Sequence, residues 1–166
     1  EKLVMATVLV YHSISSPAEP MAGDIDISPT RFEQQLEWLA RSGKVVSLEA
    51  TLNHARKDAI AITFDDGYRD NLIHARPVFR KHNCPFTIFV TPAITDGTCE
   101  LWWRGLEAVI AGASRIDTVI NGERLSMGTI TDAQKQEAWE RLYWPVRRFG
   151  QHLQRRWIRE FCDRQG

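Results

Sequence analysis

An apolar run with a β-branched bias, Ala59 to Phe64, ends abruptly in two carboxylates and a glycine, Asp65-Asp66-Gly67. Such a run reads as a buried strand that delivers its acids to the rim of a sheet, with Gly67 allowing the turn. Neighbouring carboxylates repel, so either a cation sits with them or one of them keeps a proton. Carboxylate oxygen suits a metal, and a second carboxylate beside that metal suits proton transfer. The same residues are also ordinary turn material, because Asp bonds its own backbone and Gly tolerates positive φ.

The surrounding pattern alternates strand and helix. Val4 to Val10 is almost continuously apolar, the pattern of a strand covered on both faces, and it ends in Tyr11-His12-Ser13. His12 is open to two readings, a core histidine with a satisfied hydrogen bond or a member of an active rim. Residues 15–26 read as loop. Ser28-Pro29 then gives an N-cap with proline at the first helical position, Phe32, Leu36, Leu39 and Ala40 form an apolar face, and Gly43 supplies the stop. Val45-Val46 reads as a short strand and Ser47 to Arg56 as a helix with His54 on its solvated side. After the acids, Asp70 is placed to cap a helix over Asn71 to His82 that Pro77 disturbs early, with His74 and His82 on its surface. Phe86 to Val90 is a further buried strand, ending at Thr91-Pro92. This order predicts parallel pairing with right-handed crossovers, an α/β fold whose strand ends gather His12, Asp65, Asp66 and Thr91.

Past Pro92 the pattern changes. Leu101 to Ala111 reads as a helix stopped by Gly112, and Asp117 to Met127 as a hairpin, since Asn121-Gly122 favours the tight turn that matches strand twist. Trp102-Trp103 could stack on a sugar ring, but such pairs more often anchor a segment to a core. Thr131 and Gln134 fit a capping box, followed by one apolar stripe, Ala138, Leu142, Val146, Phe149, Leu153 and Trp157, that Pro145 should interrupt. The arginines of this tail alternate with acids, so its polar face reads as solvated.

The 21 basic and 21 acidic residues cancel, which leaves no global field to draw nucleic acid or anionic lipid. No apolar run approaches the length of a membrane span. Three cysteines, Cys84, Cys99 and Cys162, lack any Cys-x-x-Cys spacing and argue against a disulfide framework or a cysteine zinc site. They favour a reducing, cytoplasmic compartment slightly, whereas removal of a leader before Glu1 would allow export, so localisation stays open.

Thr63-Phe64-Asp65-Asp66-Gly67 resembles the signature of the polysaccharide deacetylase family, the NodB-homology domains of the carbohydrate esterases, and Val10-Tyr11-His12-Ser13-Ile14 resembles the opening motif of one branch. Phe86 to Pro92 is similar to the family's next strand, so the likeness covers the N-terminal part of the chain and little of the rest. It implies a partial (β/α) barrel with a helical and hairpin insertion over residues 95–130 and a C-terminal helical segment, in a single domain of residues 1–166. It also implies hydrolysis of N-acetyl groups on an amino-sugar polysaccharide or oligosaccharide, with Asp65 as general base and Asp66 as ligand to a divalent metal, zinc by preference. The family keeps a histidine like His12 near its metal, which puts His12 among the catalytic candidates.

A catalytic zinc wants three protein ligands and an open position. The family supplies two histidines four apart, whereas His12, His54, His74, His82 and His152 contain no such pair. The remaining ligands are therefore expected outside this sequence, with weak activity and poor metal retention within it. Unpaired strand edges would then favour association with a second copy or with the missing segment. Two rivals stand beside this reading: a carbohydrate-binding or scaffold module of the same fold without turnover, and a magnesium-dependent phosphoryl-transfer site on Asp65-Asp66. The second would need another Asp or a Lys from a later strand end, and Thr91-Pro92 supplies neither.

Overall fold

The computed structural model describes residues 6–15, 25–53 and 58–165, and it divides into two compact units, residues 6–15 with 25–98, and residues 99–165. The first holds the acids. Strands β1 (Thr7–Tyr11), β4 (Ile60–Phe64) and β5 (Thr87–Ile88) form a parallel sheet in the order β1-β4-β5, with Tyr11 opposite Phe64 and Thr63 opposite Thr87. This is the mixed α/β, parallel arrangement expected from the alternation of elements; the described strands form a sheet open at β1 and β5. Two short strands absent from the sequence reading, β2 (Ser13–Ile14) and β3 (Asp26–Ile27), pair in parallel beside it. Val45 makes only an isolated bridge to Ile60. Strand β5 is shorter than its apolar run, because Phe89 and Val90 lie half exposed past its end.

Helix α1 (Pro29–Arg41) begins as its sequence dictates. The Ser28 hydroxyl accepts the Arg31 N–H at 3.3 Å, Pro29 opens the first turn, and Phe32, Leu36 and Leu39 are buried. Helix α2 covers Leu48–Asn53, and His54 with the rest of that expected helix lies outside the described residues. The segment after the acids differs from a plain helix. Pro77 has no N–H to close a normal turn, and the backbone widens into a π turn over Asn71–Ala75, the Arg76 N–H reaching the Asn71 carbonyl, before α3 (Arg76–His82). His82 is half-buried rather than a surface residue, with its Nε2 buried and without a hydrogen-bond partner, while His74 is exposed as expected.

The core of this unit is aromatic. Phe64 touches Tyr11, Phe32, Phe79 and Phe86, and Phe79 stacks on Phe86 with centroids 4.2 Å apart. Burying a phenylalanine fully contributes about 1.5–3 kcal/mol. Phe64 is fully buried and directly precedes Asp65, so the same packing that stabilises the sheet fixes the origin of the acid turn.

The second unit begins four residues into the stretch expected as an insertion and takes in the C-terminal helices as well. It joins α5 (Trp102–Gly112), the hairpin β6 (Arg115–Ile120) and β7 (Glu123–Gly128), α6 (Asp132–Arg147) and α7 (Gln151–Gln165); the short α4 (Pro92–Thr95) closes the first unit. The hairpin turns at Asn121 and Gly122, with φ of 52° and 82°. Thr131 and Gln134 form the capping box. Trp102 packs against this core and lies 5.1 Å from the Tyr143 ring, in keeping with an anchor. The tail departs from one continuous stripe. Pro145 is accommodated in the last turn of α6 and the chain breaks at residues 148–150 instead, so Leu153 is partly exposed and α7 turns Trp157, Ile158 and Phe161 inward.

Candidate active site at the end of β4

The ladder between β1 and β4 continues one residue past the strand, the Asp65 N–H donating to the Tyr11 carbonyl at 2.9 Å. The chain then turns through two left-handed residues, Asp66 at φ 70° and Gly67 at φ 74°. Aspartate tolerates that region better than most residues, and a side chain held there directs attention to function. Gly67 is required for a second reason, since a Cβ there would meet Val90 Cγ1 at 3.3 Å. This contact brings the chain beyond β5, and hence the neighbourhood of Thr91, beside the acid turn.

His12 Nε2 lies 3.9 Å from Asp65 Oδ2, with the two side chains 32% and 42% exposed. That separation exceeds a hydrogen bond and leaves an electrostatic contact reachable by solvent. The structure therefore brings His12 and Asp65 together and sets Asp66 on the following turn. A cleft of about 610 Å³ has His12, Tyr11, Arg31 and Gln35 in its wall. The Tyr11 hydroxyl donates to Gln35 Oε1 at 2.8 Å, and burial pushes the phenol above its usual pKa.

Asp70 does not cap the helix that follows. Its carboxylate accepts the Ser13 hydroxyl at 2.8 Å. Sequence reasoning missed Ser13 as part of the site, although it stands next to His12. Among the described residues no three His, Cys, Asp or Glu side chains gather as a metal-ligand group. His74 and His152 are exposed on their own helices.

An acid pair thus stands at the end of a buried parallel strand, with a histidine from the neighbouring strand end beside it, and comparison with known proteins bears on this same part of the chain. The family that matches is polysaccharide deacetylase, over residues 53–110. YxkH of Bacillus subtilis (strain 168), which carries the name of a polysaccharide deacetylase, is 35% identical over 97 residues, 54% of this chain and 33% of its own length. IcaB from Ammonifex degensii is 32% identical over 51% of this chain and 37% of its own, with a TM-score of 0.43. The deacetylase PplD of Streptococcus pyogenes is 29% identical over 55% of this chain and 44% of its own, with a TM-score of 0.47. The chain spans about a third of the length of the curated relative it matches.

Proposed function

We propose that the turn after β4 removes N-acetyl groups from an amino-sugar polysaccharide or oligosaccharide, with Asp65 as the general base and Asp66 as one ligand of a divalent ion, zinc by the family's pattern. The observation that carries this is the 3.9 Å approach of His12 to Asp65 at paired strand ends. In the reaction, water adds to the acetyl carbonyl carbon and gives up a proton, for which Asp65 is the acceptor; the C–N bond breaks, and the departing amine gains a proton. His12 is assigned to that same handling of protons. When bound, a divalent ion held in part by Asp66 would polarise the acetyl carbonyl. Within this reading, β1, β4 and β5 are successive strands of a deacetylase barrel, a placement supported by their parallel order. The edge of β1 and the half-exposed Val8 and Val10 support pairing with a second copy or a further segment, to be read by light scattering.

The test is acetate release from N-acetylglucosamine oligomers by the full-length protein. Asp65→Asn should lower the rate by roughly 10²-fold or more, the range of general-base contributions, and an unchanged rate refutes the assignment. Zinc titrated into the 166-residue chain alone should bind weakly; tight stoichiometric binding refutes the incomplete ligand set. A second reading, sugar binding without turnover, is favoured by Trp38, which is 71% exposed and lines a cleft of about 490 Å³ with Tyr11, Arg31 and Gln35. It expects sugar binding unchanged by Asp65→Ala and Asp66→Ala, with no acetate released by the parent.

A further inference from the structure

His12 owes its position to the bonds of its neighbours. Tyr11 before it accepts the Asp65 N–H at 2.9 Å, and Ser13 after it donates its N–H to the Ile25 carbonyl at 3.2 Å. The Ser13 side chain, 1% exposed, donates its hydroxyl to Asp70 Oδ2 at 2.8 Å. The segment that leaves β4 is therefore tied back twice to the segment that leaves β1, once at Asp65 and once at Asp70. The carboxylates and His12 lie within the loop these two ties enclose. A hydroxyl donating to a carboxylate in a part-buried setting is among the stronger neutral-to-charged hydrogen bonds.

The residue after Asp70 gives this tie its rigidity. Asn71 is fully buried, its N–H donates to the Tyr68 carbonyl at 3.1 Å, and its own carbonyl accepts the Arg76 N–H across the π turn. Asp70 Oδ1 and both polar atoms of the Asn71 side chain are buried without a protein partner. A polar wall of this kind costs stability, and π turns recur at functional sites. A mere helix terminus needs none of it.

We infer that Asp70 is a positioning residue, whose carboxylate, acting through Ser13, sets His12 against Asp65. The functional consequence rests on the deacetylase reading, while the tie itself does not. Amide hydrogen exchange of the 166-residue chain is the test. Asp70→Ala and Ser13→Ala should each speed exchange of the Asp65 amide by about 10- to 100-fold, as loss of a hydrogen bond to a charged group allows. The Ile62 amide, inside β4, should keep its rate. The double variant should add nothing to either single change. Asp70→Asn, whose amide oxygen still accepts the Ser13 hydroxyl, should return the Asp65 rate to within about threefold of the parent.

Unchanged exchange at Asp65, or equal acceleration at Ile62, overturns the inference. If Asp70→Ala fails to fold, Ser13→Ala and Asp70→Asn decide the matter alone. In the full-length protein, Asp70→Ala should lower kcat for acetate release with KM nearly unchanged. An inactive parent whose exchange follows the expected pattern leaves the tie standing and removes the deacetylase reading; an active parent with unaltered exchange does the reverse.

Discussion

Replacing Gly67 by alanine isolates what holds the acid turn in shape. Gly67 has φ 74° and Gly43, at the end of α1, has φ 63°, so alanine meets a comparable backbone penalty at both. A left-handed residue other than glycine costs about 1–2 kcal/mol. Around Gly43 nothing lies within 4 Å of an added Cβ, so that penalty is the whole cost. At Gly67 the Cβ meets Val90 Cγ1 at 3.3 Å, Cγ2 at 3.4 Å and Cα at 3.5 Å. The Cα distance is ordinary packing, whereas the Cγ1 contact is tighter than usual, so the Val90 side chain must give way, and crowding of this kind adds roughly 1–2 kcal/mol. Gly67→Ala should therefore lose about 2–4 kcal/mol against about 1–2 for Gly43→Ala. Exchange of the most protected β4 amides reads the stability of this unit without averaging it with the other. The pair Gly67→Ala/Val90→Ala should recover much of the difference. Equal losses at Gly67 and Gly43, or no recovery in the double variant, would refute the claim that Val90 constrains the turn.

Two further outcomes follow from the structure. Thr131→Ala removes the acceptor of the Gln134 N–H at 3.3 Å and half of the capping box, and should destabilise the second unit by about 1 kcal/mol in urea denaturation, with Thr131→Ser nearly neutral. Lys81 Nζ lies 2.8 Å from Glu33 Oε1, which holds Glu33 below and Lys81 above the usual range. The Glu33 contribution is full above its ordinary pKa of 4.5 and fades as pH falls through its lowered value, and the Lys81 contribution is full below 10.5 and fades as pH rises through its raised one. Lys81→Met should thus cost a little stability at neutral pH, nothing in strong acid, and less in high salt, because both partners are exposed; a loss independent of pH would refute the pairing.

The parts of the molecule legible in the sequence are those whose physics is local. Ser28-Pro29, Asn121-Gly122 and Thr131 with Gln134 act on their own turns, and each makes the cap or turn its spacing implies. The buried strand Ile60–Phe64 and the acids at its tip were legible because a run of apolar residues broken by carboxylates has few other ways to satisfy both. Where the outcome depended on packing, the reading drifted. Pro145 looked like the break in the tail, yet it lies inside the last turn of α6, and the helix ends only at residues 148–150. Leu153 fitted the stripe of a continuous helix and left the core once the helix divided.

Asp70 shows the limit most sharply. An aspartate expected just ahead of a helix can accept from the backbone N–H groups of the first turn or from a donor elsewhere, and the two outcomes use the same side chain in the same place in the sequence. What decides is the position of Ser13, 57 residues earlier in the chain and fixed only when β1 and β4 pair. The local option was also weakened from within. Asp70 has helical dihedrals (φ −63°, ψ −27°) instead of the extended ones of a capping residue, and its carboxylate is left for Ser13. A strand-end acid can be read from one window of sequence, but the residue that steadies it comes from the coincidence of two windows, and that coincidence is a property of the sheet.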